Sequence, residues 1–118
     1  MRLTVALVMI RGASSAWLDD PEHMRGALMA AIEAGRFAHL QTVVHRFEPQ
    51  GVTAVAVVGE SHIALHSWPE EQRLFVDIVS CGDPALVRPA VEALVAAVPG
   101  ARIESFEERT IDPDRGVS

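Results

Sequence analysis

Four extended segments follow one another in the middle of the chain, and the connections between them are short. The segments are residues 39–47, 52–58, 62–67 and 73–80. Their alternating or β-branched side chains are typical of strands. Turn-forming residues such as Glu48-Pro49-Gln50-Gly51 separate them. Because parallel neighbours need a crossover of about a dozen residues or more, these strands are expected to pair in antiparallel fashion.

Two amphipathic helices flank this block of strands. The first is predicted to begin at Asp20-Pro21, an N-cap followed by proline, and to end at Gly35. The second is predicted to begin at Asp83-Pro84 and to end at Pro99-Gly100. Further strands are predicted at residues 3–10 and 101–109. The acidic tail from Ile111 is expected to be frayed.

The element order β-α-β-β-β-β-α-β predicts an α+β fold. We expect one domain, residues 1–118, built as a two-layer α/β sandwich with a mainly antiparallel sheet and both helices on one face. The middle strands are apolar on both faces, so a second copy is expected to cover the open face. The sequence therefore predicts a homodimer.

The composition excludes several classes of function. The chain has 118 residues and a net charge of -6, and its ten lysine-or-arginine positions are all arginine. Without lysine it cannot form the internal Schiff base that binds pyridoxal phosphate (PLP) to an enzyme, and it cannot contain a P-loop, which needs a lysine for the phosphates. The acidic balance argues against nucleic acid as a partner.

No apolar run approaches the roughly 20 residues of a membrane span, and residues 3–10 are interpreted as a buried strand. A single cysteine suits the reducing cytoplasm.

The residues that can carry chemistry cluster between residues 47 and 83. His62 and His66 share one face of an extended segment, and Cys81 would join them if the neighbouring strands pair. Two histidines about 13 Å apart along a strand are too distant for one ion, so no metal site is expected. A Cys/His nucleophilic pair remains open. Taken alone, Ser61 after Gly59-Glu60 is also compatible with an ordinary bulge.

Three blocks in this region, taken together, resemble the bacterial and archaeal S-adenosylmethionine decarboxylase proenzymes. The blocks run from Phe47 to Val52, from Glu60 to Glu70 and from Asp77 to Asp83. Their order and spacing fit the family. The family's fold is a two-layer sandwich that acts as a dimer, which agrees with the topology above.

The resemblance implies that the chain cuts itself. Ser61 would attack the carbonyl of Glu60, and β-elimination would release the β chain, 1–60, from the α chain, 61–118. Hydrolysis would then leave a pyruvoyl group at residue 61. His66 matches the histidine that assists the elimination. Thr53 stands in the place of a serine implicated in processing.

The resemblance also implies roles in catalysis and substrate binding. The pyruvoyl group is the cofactor, with no PLP and no metal, and Cys81 matches the general acid. A thiol suits that role because thiols are mostly protonated near neutral pH. Phe47 matches the aromatic residue that stacks on adenine, and Glu70 matches the carboxylate that holds the ribose hydroxyls. The implied activity decarboxylates S-adenosylmethionine to the aminopropyl donor for spermidine, a step of polyamine biosynthesis.

The first strand departs from the family pattern. Residues 2–11 carry neither a Gly-x-His start nor an aromatic and acidic stretch. Some relatives with the same processing motif decarboxylate L-ornithine or L-arginine, so a decarboxylase of that kind is the alternative. A third interpretation is an inactive regulatory subunit. The presence of Ser61, His66 and Cys81 argues against it, because an inactive homologue would not need these residues.

Overall fold

A computed structural model describes residues 2–59, 61–114 and 116–117, with the side chain of Val117 left aside. The strands are β1 (Leu3–Arg11), β2 (His39–Arg46), β3 (Val52–Val58), β4 (Ser61–Trp68), β5 (Arg73–Ser80), β6 (Arg102–Asp112) and β7 (Gly116–Val117). The helices are α1 (Ser15–Leu18), α2 (Pro21–Ala34) and α3 (Val87–Ala96). Short 3-10 turns at Pro69–Glu71 and Pro84–Leu86 complete the described elements.

The described strands form one seven-stranded antiparallel sheet in the order β2-β3-β4-β5-β1-β6-β7. The antiparallel pairing of the four middle strands is confirmed. The first strand, β1, lies between β5 and β6. The N-terminal and C-terminal strands therefore extend the sheet on the β5 side of the four middle strands. The α+β class and the two-layer arrangement are confirmed as well.

Both long helices pack on one face of the sheet. In β1, β3 and β5 every second residue is buried, and the period of two directs these side chains toward the helices. Asp20 caps α2 by accepting hydrogen bonds from the backbone N–H groups of Glu22 and His23, and Pro21 occupies the first turn. The predicted start of α2 is therefore confirmed, and its C-cap is Gly35, as expected.

Three details differ from the expectation. A short helix, α1, precedes α2, and its N-cap is the Ser14 hydroxyl. Asp83 caps a 3-10 turn rather than α3 itself, which begins at Val87. The prediction of a frayed tail from Ile111 is wrong, because Ile111 pairs with Leu3 on β1 and with Val117 on β7. That pairing depends on a distant strand and leaves no local pattern in the tail.

The face of the sheet opposite the helices is apolar and open. Leu7, Val43 and Val57 lie on it with 40%, 57% and 44% of their surface exposed. Val5, Val55 and Val79 lie on the same face and are half-buried. Several exposed apolar side chains gathered on one face in this way are typical of an interaction site. Within the described part of the chain, no helix is long and apolar enough to cross a membrane.

Candidate active site

A cavity of about 470 Å³ opens where the β2–β3 hairpin meets the end of β4, and we call it the hairpin cavity. Its walls are Phe47, Gln50, Gly51, Val52, Thr53, His66, Ser67, Trp68, Glu70 and Phe75. Three of these are aromatic, and the Trp68 and Phe75 rings stack with their centroids 6.5 Å apart. The Glu70 carboxylate accepts a 2.7 Å hydrogen bond from the Gln50 amide, which links the hairpin to the 3-10 turn. The cavity thus combines flat apolar walls with one carboxylate.

Two side chains, the half-buried Asp19 and the buried Ser67, hold the β2–β3 hairpin in place. Asp19, at the end of α1, accepts hydrogen bonds from the Arg46 guanidinium at 2.7 Å and from the Gly51 backbone N–H at 2.8 Å. The buried Ser67 hydroxyl accepts from Val52 N–H at 2.9 Å and donates to the Leu18 carbonyl at 2.8 Å. Both sets of bonds tie the cavity wall to the segment before α2.

Replacing Asp19 is expected to destabilise the protein in a pH-dependent way. The hydrogen bond from Arg46, followed by that from Gly51 N–H, holds the pKa of the Asp19 carboxyl below its ordinary value of 3.8. A carboxyl with a lowered folded-state pKa contributes stability above its unfolded pKa and loses it as the pH falls through the folded pKa. Asp19→Asn should therefore lower the melting temperature at pH 7, and the difference should shrink from about pH 5 to about pH 2.

Thermal unfolding followed by circular dichroism across that pH range checks this expectation. Glu33→Gln, on the exposed side of α2, is the control that removes one carboxylate outside the hairpin. A difference between wild type and Asp19→Asn that stays constant with pH would contradict the charge-dependent role.

His66 connects the hairpin cavity to a row of polar groups on the open face. Its Nδ1 lies 3.5 Å from the Thr53 hydroxyl, at the outer limit for a hydrogen bond. Its Nε2 lies 2.9 Å from Asp77 Oδ2, while the other oxygen of Asp77 lies 2.8 Å from His62 Nε2. These residues come together because β4 pairs with both β3 and β5, with Thr53 opposite His66 and Asp77 opposite Ala64.

A second cavity, of about 270 Å³, lies at the other end of β4, and we call it the serine cavity. Its walls are Arg36, Phe37, Ala38, Val58, Gly59, Ser61, Ser80, Cys81 and Gly82. The half-buried Ser61 hydroxyl accepts a 3.0 Å hydrogen bond from the Cys81 backbone N–H. The serine and the cysteine are therefore neighbours, as a site that uses both requires.

The two cavities are distant from each other within one chain. Ser61 and His66 both belong to β4 and are five positions apart, which is about 16 Å at the usual strand rise. An odd spacing also directs the two side chains to opposite faces of the sheet. Ser61 and Cys81 therefore form one group, and Thr53, His66, Phe47 and Glu70 form another.

The expected site residues are thus divided between two places. The expectation that His62, His66 and Cys81 share one surface is met for the histidines alone, because Cys81 follows the end of β5 and lines the serine cavity. Glu60, the expected residue before the cleavage point, lies outside the described residues.

Several site residues had no role assigned from the sequence. They are Gln50, Trp68 and Asp77, with Arg36 in the serine cavity. The alternation of β5 already places Asp77 on one face with Phe75, but only the β4–β5 register shows that this face carries the histidines. Among the described residues, no group of three His, Cys, Asp or Glu side chains is arranged to hold a metal ion.

Comparison with known proteins gives a consistent result. The family model described as S-adenosylmethionine decarboxylase matches residues 5–109. The S-adenosylmethionine decarboxylase proenzyme of Prochlorococcus marinus (strain MIT 9313) is 37% identical over 96 residues, which cover 79% of this chain and 76% of that protein. The proenzyme of Hydrogenobaculum sp. (strain Y04AAS1) is 28% identical over 107 residues, covering 89% and 80%.

The fold has a counterpart among solved structures. The crystal structure of the adenosylmethionine decarboxylase from Aquifex aeolicus superposes with a TM-score of 0.77 and 23% identity, over 92% of this chain and 87% of that one. At that identity the likeness concerns the fold. The family match and the curated relatives carry the assignment: the chain belongs to the S-adenosylmethionine decarboxylase family.

Proposed function

We propose that this chain is a proenzyme that cuts itself between Glu60 and Ser61 and then decarboxylates S-adenosylmethionine. The observation that carries the proposal is the pairing of Ser61 with Cys81 in the serine cavity, where the Cys81 N–H holds the serine hydroxyl at 3.0 Å. The family match supplies the chemistry that such a pair performs.

The cleavage proceeds in steps that Ser61 itself can supply. Its hydroxyl oxygen attacks the Glu60 carbonyl carbon; the C–N bond breaks, and the hydroxyl proton passes to the freed amine, which gives an ester. His66 then accepts the proton of the Ser61 Cα as the Cβ–Oγ bond breaks. The leaving group is the main-chain carboxylate of Glu60, which becomes the C-terminus of the 1–60 fragment. Water finally replaces the nitrogen, ammonia departs, and residue 61 becomes a pyruvoyl group. The chain is thereby divided into 1–60 and 61–118.

The residues around Ser61 fit the group that this cleavage produces. A pyruvoyl carbonyl supplies an electron sink for the charge left when carbon dioxide departs from an amino acid. Cys81 lines the same cavity and brings a thiol to that point. We assign to Cys81 the proton donor for the substrate carbon, because a general acid has to lie within reach of the reacting atom.

The separation of the two cavities supports a dimer with composite sites. His66 is about 16 Å from Ser61 along the same strand and on the opposite face, so it cannot reach the serine of its own chain. A two-fold interface brings unlike ends of the same surface together. The open apolar face, which carries His66, is the surface for that interface, and the partner reaches Ser61 past the start of β4, where the sheet ends at the turn between β3 and β4. We therefore propose that His66, Thr53, Phe47 and Glu70 serve Ser61 and Cys81 of the partner.

The hairpin cavity favours a nucleoside over a simple amino acid. Phe47, Trp68 and Phe75 offer flat faces on which a base can stack. Glu70 offers a carboxylate, the acceptor that a ribose diol needs. Ornithine and arginine have neither a base nor a ribose to use these groups. The comparisons also support S-adenosylmethionine and give the ornithine or arginine alternative no support.

Substrate specificity is tested by carbon dioxide release from a panel of three amino acids. The self-cleaved protein, given carboxyl-labelled S-adenosylmethionine, L-ornithine or L-arginine, should release labelled carbon dioxide from S-adenosylmethionine. Release from ornithine or arginine alone would overturn the assigned substrate and leave the pyruvoyl chemistry standing. A chain that stays whole and releases nothing would favour an inactive regulatory subunit.

Variants of the cavity wall sharpen the same experiment. Phe47→Ala should lower kcat/KM for S-adenosylmethionine about tenfold or more, the usual effect of losing one stacked base. Glu70→Gln should raise KM, because the amide is a poorer acceptor for two hydroxyls. Glu71→Gln is the matched control, since Glu71 lies on the same 3-10 turn but outside the hairpin cavity.

The setting of this activity follows from the same features. We propose a cytoplasmic homodimer that acts on a small cationic substrate in spermidine synthesis. Net charge -6 and the absence of lysine are consistent with a partner that is not nucleic acid.

A further inference from the structure

Asp77 lies between two histidines on the open face of the sheet. Its two carboxylate oxygens are 2.8 Å from His62 Nε2 and 2.9 Å from His66 Nε2. The side chain is 23% exposed, and both oxygens have a histidine partner. One carboxylate therefore contacts both rings at once.

The strand register explains how one short side chain reaches both rings. Asp77 is paired with Ala64, which lies between His62 and His66 on β4. Because the alanine side chain is a single methyl group, the carboxylate has room to lie across the strand. A side chain two positions away on the neighbouring strand is within reach of a long or aromatic group. The sequence His-x-Ala-x-His on β4 therefore allows one aspartate on β5 to contact both histidines.

The contacts define which ring nitrogen of His66 carries the proton. A carboxylate accepts hydrogen bonds and does not donate them, so Nε2 of His66 must be the N–H. In the neutral ring the lone pair then lies on Nδ1, the nitrogen that faces the Thr53 hydroxyl and the hairpin cavity. Asp77 thereby turns the basic nitrogen of His66 toward the site.

We propose that Asp77 is a positioning residue for self-cleavage, which holds His66 in the tautomer that presents Nδ1 as the base. This inference rests on the proposed function and adds a residue to it. His62 occupies the other oxygen and steadies the carboxylate, and it is not itself the base. The described contacts of the Asp77 carboxylate are with the two histidines, and in this proposal it acts through His66.

Asp77→Asn is the sharpest test because it changes the chemistry and preserves the shape. The asparagine amide can present its NH2 group to Nε2, which turns Nε2 into an acceptor and moves the ring proton to Nδ1. In the serine protease triad the same substitution costs about 10⁴ in rate through the wrong tautomer. We expect the rate of chain cleavage to fall at least about 100-fold.

Hydroxylamine distinguishes positioning from a structural role. If the variant folds and only the elimination is slow, Ser61 still attacks Glu60 and the ester accumulates. Hydroxylamine cleaves an ester, so it should cut Asp77→Asn at residue 60–61, as it should cut His66→Ala. Ser61→Ala cannot form the ester and should remain whole in hydroxylamine. The fragments are resolved by denaturing gel and identified by mass.

The outcomes separate this inference from the proposed function. Cleavage of Asp77→Asn at the wild-type rate overturns the inference, and so does an uncut variant that hydroxylamine leaves whole, since Asp77 then acts on the fold or on ester formation. His62→Ala should still cleave, because the bond from Asp77 to His66 remains; a loss equal to that of Asp77→Asn would assign the role to His62 instead. Wild-type cleavage and carbon dioxide release test the proposed function independently.

Discussion

Mixing a Ser61→Ala chain with a His66→Ala chain is expected to restore cleavage that neither variant performs alone. In a mixed dimer with composite sites, one site combines Ser61 of the His66→Ala chain with His66 of the Ser61→Ala chain. The other site lacks both residues. Only the His66→Ala chain should therefore be cut into 1–60 and 61–118. With equal amounts and random pairing, about half of those chains should be cut.

The measurement needs two chains that can be told apart. Co-expression with tags of different length, followed by denaturing electrophoresis, identifies which chain is cut. The matched control pairs His66→Ala with the double variant Ser61→Ala, His66→Ala, which supplies no histidine in either position and should give no cleavage. If the mixed sample stays whole while the wild type is cut, the site lies within one chain, and the proposed arrangement across the interface is wrong.

The distance along β4 is the reason for expecting such complementation, and it depends on Ser61 belonging to β4, which the predicted strand of residues 62–67 did not include. Once residues 61–68 are placed on one strand, the odd spacing of Ser61 and His66 already directs them to opposite faces. The motif resemblance placed the two residues in one site, and the strand geometry separates them within one chain. Both statements hold if the site is shared between two copies.

Local patterns sufficed for most of the fold. Asp20-Pro21, the turn before Gly51 and the alternation of the middle strands each depend on neighbouring residues, and their elements form as predicted. The strand that continues through Ile111 was missed because its stability comes from pairing with β1, more than 100 residues earlier in the chain. Long-range pairing of this kind leaves no mark on local composition.

The same distinction applies to the site. Ser61, His66 and Cys81 belong to motifs and could be singled out from their order along the chain. Asp77 lies in a motif as well, but its role depends on the register between β4 and β5. A shift of one residue in that register would direct its side chain away from the histidines. Asp19 contributes through contacts with the hairpin that join segments about 30 residues apart, which no pattern in the sequence indicates.

Cys81→Ala is expected to leave self-cleavage intact and to lower the rate of decarboxylation about 10²–10⁴-fold, the usual contribution of a general acid. The contact between Cys81 and the Ser61 hydroxyl is made by the backbone N–H. Replacing the side chain keeps that N–H in place, so ester formation and elimination should proceed. The thiol is lost, and with it the proposed proton donor for the substrate carbon. The two proposed functions of residue 81 thus depend on different atoms.

Two measurements on the same sample check this separation. Mass analysis of the purified variant should show both fragments, with a pyruvoyl group at residue 61, while carbon dioxide release from S-adenosylmethionine should be strongly reduced. Ser80→Ala is a control for the cavity wall, because Ser80 lines the serine cavity and its hydroxyl accepts the Gly82 N–H without carrying a thiol. That variant should retain most of the activity. A Cys81→Ala protein that decarboxylates at the wild-type rate would show that the Cys81 thiol is not the proton donor.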